Sequence, residues 1–123
     1  MKQNTESGRA AARFGRENYK KVAKYLGAEL VPGPSNNAIW NGKKINIKSA
    51  RLGDSQIGVT LNNLDWADYI VAAIQVNEDY FGLYEVTTTW FRGEMRDSRQ
   101  DYTKMVSCDK ITRCGIEIGK MPA

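Results

Sequence analysis

The chain has 123 residues, 41% of them hydrophobic, and a net charge of +4, which fits one domain spanning 1–123 rather than two. With no His and only two Cys, four thiolate or imidazole ligands for zinc cannot be assembled within one chain, so any metal must be held by oxygen. The longest apolar run, residues 69–74, is far short of the roughly 20 residues that span a bilayer, and the first residues are polar, so the expectation is a soluble, cytoplasmic protein with no membrane partner.

Charge is unevenly distributed. Residues 1–52 carry eleven Lys or Arg against three Asp or Glu, a net +8, and the remainder is −4. A basic half of this kind suits a polyanion, because each base that neutralises a phosphate releases condensed counterions. The acidic half allows a different use, masking or mimicking DNA in a protein complex, but the half that carries the polar motif described below is the basic one.

Residues 7–26 have helical periodicity, with Ala11, Phe14, Val22, Tyr25 and Leu26 at spacings near three or four and Gly27 as the stop. On another face Arg9, Arg13, Arg16, Lys20 and Lys24 step by four, three, four and four, a ridge of five charges suited to a phosphate backbone. Glu17 stands among these bases, either as a partner of Arg13 or Lys21 or as part of a site. Residues 28–31 and 36–40 read as strands, the first ended by Pro32-Gly33-Pro34. Asn41-Gly42 is a strong hairpin signal because both residues tolerate positive φ, and it joins 36–40 to a strand at 43–50.

The register of that hairpin follows from a two-residue loop. Trp40 faces Lys43, Ile39 faces Lys44, Ala38 faces Ile45, and Asn37 lies opposite Asn46. Period-two alternation then puts Ala38, Trp40, Ile45 and Ile47 toward a core and Asn37, Lys44, Asn46 and Lys48 on the other face. Residues 51–55 read as a loop and 60–67 as a short helix. Residues 68–76 and 80–86 read as strands paired antiparallel through a turn at 77–79. A helix is expected to begin at 87–91, and 92–101 is charged enough to read as an exposed loop. The segments 1–7 and about 92–123 receive no firm order. Cys108 and Cys114 read as reduced thiols, with a disulfide as the alternative.

The succession of helix, three strands, short helix and two strands, with "GRENYKKVAKYLG" and "INIKSA" as its most telling stretches, resembles the PD-(D/E)XK nuclease superfamily and its small Holliday-junction-resolvase-like members. The likeness covers about residues 8–86. It implies an α+β or α/β fold with a restriction-endonuclease-like core, a mixed sheet flanked by helices in the order αβββαββ. In that superfamily an acidic residue on the second strand and an acidic-x-Lys on the third hold divalent metal against a phosphate, often with a Glu from the first helix. Those positions fall on Asn37, Asn46, Lys48 and Glu17.

Two of the acidic positions are therefore amides. Phosphodiester hydrolysis needs an activated water and stabilisation of charge on the phosphate oxygens, which Mg²⁺ and a lysine supply together, and Mg²⁺ favours one or two carboxylates. An amide at the second acidic position occurs in some active restriction enzymes of the superfamily; Asn37 is the larger departure. The resemblance thus implies a DNA-binding protein whose phosphodiesterase site is attenuated or lost. The alternative is an active endonuclease in which Glu17, Asn37, Asn46, the Ile47 carbonyl and substrate phosphates hold Mg²⁺ or Mn²⁺, with Lys48 as electrostatic catalyst. Arg9, Arg13, Arg16, Lys20, Lys24, Lys44 and Arg51 are the expected DNA contacts, and a homodimer would suit a two-fold duplex.

Overall fold

The computed structural model describes residues 5–123, with side chains from residue 9 onward; Lys2 and most of the unassigned 1–7 segment lie outside the described residues. Helix α1 (Thr5–Leu26) comes first. Its end is closed by two bonds, Gly27 N–H to the Lys24 carbonyl at 3.2 Å and Ala28 N–H to the Ala23 carbonyl at 2.8 Å. These satisfy carbonyls that the helix would otherwise leave bare. Strands β1 (Glu29–Leu30), β2 (Asn37–Trp40) and β3 (Lys43–Ala50) follow.

After β3 come β4 (Gln56–Thr60), α2 (Leu61–Trp66), β5 (Tyr69–Gln75), β6 (Tyr80–Thr87), α3 (Thr88–Glu94), β7 (Arg96–Asp97), β8 (Thr103–Ser107), α4 (Cys108–Cys114) and β9 (Ile116–Pro122). The main sheet has the order β1-β2-β3-β5-β6-β9, and β4-β8-β7 form a smaller sheet. Strand β3 runs parallel to β5, while the remaining neighbours in the main sheet are antiparallel. Among the described residues the fold is thus mixed α+β, with four helices about a mixed sheet.

A parallel pair at the centre of a sheet needs apolar cover on both faces. In β5, Ile70, Val71, Ala72, Ala73 and Ile74 are all buried. One core lies under α1 and contains Tyr19, Val22, Ala38, Ile45, Ile47 and Val71. The other contains Ile57, Leu64, Ile70, Ala72, Phe91, Val106 and Ile111, drawn from β4, β5, β8 and the three short helices. Each short helix springs directly from a strand through a hydroxyl cap: Thr60 Oγ1 accepts from Asn63 N–H, Thr87 Oγ1 from Trp90 N–H, and Ser107 Oγ from Lys110 N–H. Such caps satisfy backbone donors at the first turn.

The C-terminal third departs most from the sequence reading, and so does β4, which the apolar pattern does not announce. Gly58 at the middle of β4 interrupts that pattern; a Cβ there would lie 2.8 Å from Met105 Sδ of β8, so any larger residue requires the flexible Met105 side chain to move aside. The segment 92–101 is not simply a loop, since α3 runs on to Glu94 and Arg96–Asp97 form β7. Residues 102–119 resolve into β8, α4 and most of β9. Cys108 and Cys114 are both free, the first buried and the second exposed. They sit at opposite ends of α4, and six helical rises separate their Cα atoms by about 9 Å, too far for a disulfide.

Candidate amide site and basic surface

The hairpin turn fixes the site. Asn41 and Gly42 adopt φ of 51° and 76°, as a two-residue primed turn requires. The ladder pairs Asn37 with Asn46, Ala38 with Ile45, Ile39 with Lys44 and Trp40 with Lys43. Ile45 and Ile47 are fully buried beneath α1, so Asn46 and Lys48 project from the opposite face of β3. There they lie beside Ile70 and Ala72 of the parallel neighbour.

Asn46 Nδ2 donates to Asn37 Oδ1 at 2.7 Å and, at 3.4 Å, to the Asn36 carbonyl, which also accepts from Ile47 N–H at 2.9 Å. Asn46 is 0% exposed. Its own Oδ1 is, among the described residues, the one buried side-chain polar atom with no hydrogen-bond partner. A buried carbonyl left without any partner costs about 1 to 3 kcal/mol. The face expected to be the polar, open side of the hairpin is therefore closed at Asn46, because the smaller sheet and short helices form a second core on that side.

Lys48, two residues on, is half-buried. Burial pulls its ammonium below the ordinary lysine range, and no opposing charge among the described residues restores it. Asn37, also half-buried, is tied down from the other side by Tyr19 Oη, which donates to its backbone carbonyl at 2.6 Å. The site thus comprises two amides and a cation.

Glu17, the helix acid of the expected quartet, does not join them. It is exposed and lines a surface groove with Phe14, Asn18, Lys21, Gln75 and Phe81. Its neighbour Asn18 donates to Ser49 Oγ at 2.7 Å. Ser49 alternates with Lys48 on β3, so α1 meets the face of the strand opposite to that of Lys48 and Asn46. No cluster of three or more His, Cys, Asp or Glu residues able to hold a metal occurs among the described residues. The donors at the amide pair are one committed oxygen, Asn37 Oδ1, and one free oxygen, Asn46 Oδ1, next to a cation. Without carboxylate this set does not fit a resident Mg²⁺.

The basic ridge divides into two kinds of residue. Arg9, Arg13, Lys20 and Lys24 are exposed on the side of α1 that faces away from the sheet. Arg16 instead serves the structure: it donates to the Gly33 carbonyl at 3.1 Å, to Asn36 Oδ1 at 3.2 Å and to the Ser35 carbonyl at 3.4 Å, and stacks over Tyr19. Lys44 lies over the Trp66 ring, and Arg51 lies over Phe14 while pairing with Asp54. The ridge and the amide pair consequently face opposite sides of the main sheet, linked by Arg16 and Asn36.

Lys43 and Glu85 form a further polar pair that no motif in the sequence marks. Lys43 Nζ bonds Glu85 Oε2 at 3.0 Å and sits 5.0 and 4.5 Å from the Trp40 and Tyr69 ring centroids. The position of Lys43 opposite Trp40 follows from the turn; that of Glu85, two strands away, does not. The sequence matches no family model and no curated protein.

Proposed function

We propose that this chain is a DNA-binding protein with a restriction-endonuclease-like core whose phosphodiesterase site has been neutralised. The observation that carries the reading is the Asn37–Asn46 pair beside Lys48. Two adjoining positions that would be acidic in such an enzyme are amides, and the second keeps a buried, costly carbonyl with no partner. The order α1, β1–β3, a crossover bearing α2, and β5 parallel to β3 supports the core, and the exposed bases of α1 supply a sequence-independent grip on phosphates. Arg9, Arg13, Lys20 and Lys24 are assigned to that grip.

The free Asn46 Oδ1 favours one second reading, an active endonuclease that completes its metal shell with substrate phosphates. A nicking assay on plasmid and branched DNA with Mg²⁺ or Mn²⁺ separates the two when run beside the double variant Asn37→Asp with Asn46→Glu. The neutralised-site reading expects DNA binding without cleavage by the unaltered protein, weak or absent Mg²⁺ binding by calorimetry, and a gain of both metal affinity and cleavage in the double variant. Strong cleavage by the unaltered protein that Lys48→Ala abolishes favours the second reading. A double variant that folds but neither binds metal nor cuts would leave the nuclease resemblance without chemical support.

A further inference from the structure

A groove of about 180 Å³ opens where β5, β6, α3 and the start of β9 meet, lined by Tyr69, Glu85, Val86, Trp90, Cys114 and Ile116. Its size suits one ring-sized group rather than a drug-sized molecule. Two lining residues are aromatic, and Ile116 is a large apolar side chain left 66% exposed. Glu85 is 8% exposed, a buried carboxylate in a groove otherwise walled mainly by apolar and aromatic side chains. One of its oxygens, Oε2, is occupied by Lys43.

We infer that this groove binds a single unstacked nucleobase bearing an exocyclic amino group. Lys43 already covers the Tyr69 ring at 4.5 Å, so half-buried Trp90 is the ring on which a base stacks, a contact that accepts any base. The carboxylate selects among bases, because a carboxylate accepts well from the amino group of cytosine or adenine. Thymine brackets its one ring N–H between two carbonyl oxygens, which a carboxylate repels. A cationic ligand is the obvious competitor for a buried acid. Here Lys43 already neutralises Glu85 at 3.0 Å, so a second cation would meet like charge while a neutral amino donor would not. The inference rests on the DNA-binding reading only for the source of the base: an unpaired nucleotide in DNA or a free nucleotide presents the same chemistry.

The experiment has two arms. In the first, fluorescence anisotropy compares duplexes carrying one unpaired cytosine, one unpaired thymine, or none. The expected result is roughly tenfold tighter binding of the cytosine duplex than of the thymine duplex. That preference should vanish in both Glu85→Gln and Trp90→Ala, with affinity for the fully paired duplex unchanged. Trp90→Ala guards against the chance that loss of the Lys43 ion pair unfolds the Glu85 variant. In the second arm, ¹⁵N-labelled protein is titrated with cytidine or thymidine monophosphate, reading the Trp90 indole and the amides of residues 85–87. Cytidine-specific shifts there, together with no binding to any DNA, support the groove with free nucleotide as its ligand and count against the DNA-binding reading alone. A cytosine preference on DNA that both variants lose supports the groove with nucleic acid as the source, whatever the free nucleotide does. Equal affinity for the two unpaired bases with no cytidine-specific shift overturns the inference, as does a cytosine preference that survives in both variants.

Discussion

Asn46 donates its side-chain amide to Asn37 at 2.7 Å while its own carbonyl oxygen, fully shielded from solvent, receives nothing. Leucine has as many side-chain heavy atoms, the same branch point and no polar atom to desolvate. The variant Asn46→Leu gives up its hydrogen bonds, but half-buried Asn37 can turn to water and the Asn36 carbonyl keeps Ile47 N–H. Removing the orphan carbonyl should outweigh that loss, so Asn46→Leu is expected to raise stability by about 1 kcal/mol, read from the midpoint of urea denaturation. A drop of similar size would mean that the carbonyl has a partner, such as a buried water.

Lys48 gives a pH signature. Its ammonium is pulled below the ordinary range by burial in the folded state, so through the window between its folded value and the ordinary lysine value the unfolded chain binds more protons. Stability attributable to this residue therefore rises with pH across that window, and the charge penalty is fully present below it. Lys48→Met keeps the apolar stem and removes the charge. It should be more stable than the parent at neutral pH, and the gap should close as pH climbs through the alkaline window. A gap that is independent of pH would place the effect in packing rather than charge.

The hairpin was legible because its determinants are local: Asn41-Gly42 sets the turn, and the turn sets every pair from Trp40 with Lys43 to Asn37 with Asn46. The environment of Asn46 was not legible. Its burial depends on β4, β8 and α4, whose partners lie some 50 residues apart in the chain, as in the pairing of Gln56 with Ser107. The separation of Glu17 from the amides was hidden for a related reason: periodicity says which face of α1 is apolar, not which face of β3 it will cover. Ridge residues look alike in sequence, and only the path of the loop at 32–36 distinguishes Arg16 from Lys20.

Ile47 tests the register directly. It is fully buried in the core under α1 and alternates with Asn46 and Lys48. Ile47→Ala should cost about 2 to 5 kcal/mol, measured by chemical denaturation, and should leave the pairing of Asn37 and Asn46 intact by NMR. A cost near that of a surface substitution would indicate that β3 is shifted by one residue, which would also remove Asn46 from the site.

Arg16 and Lys20 occupy one ridge in sequence but should behave differently. Lys20, with Arg13 and Lys24, is exposed. Replacing these three by Ala should flatten the slope of log K against log salt by about 0.9 for each phosphate that is no longer neutralised, with little change in stability. Arg16 spends its guanidinium on Gly33, Ser35 and Asn36, and Asn36 in turn holds Asn46 and Ile47 through its carbonyl. Arg16→Ala should therefore lower stability by about 1 to 2 kcal/mol and perturb the Asn46 side-chain amide resonances, while the salt slope stays close to that of the parent. Arg16→Lys sharpens the test, since it keeps the charge but loses the planar fork that reaches two carbonyls and an amide at once; it should be destabilised much as Arg16→Ala is. If Arg16→Ala instead flattens the slope as much as Lys20→Ala and leaves stability and Asn46 untouched, Arg16 is a phosphate ligand and nothing connects the ridge to the amide site.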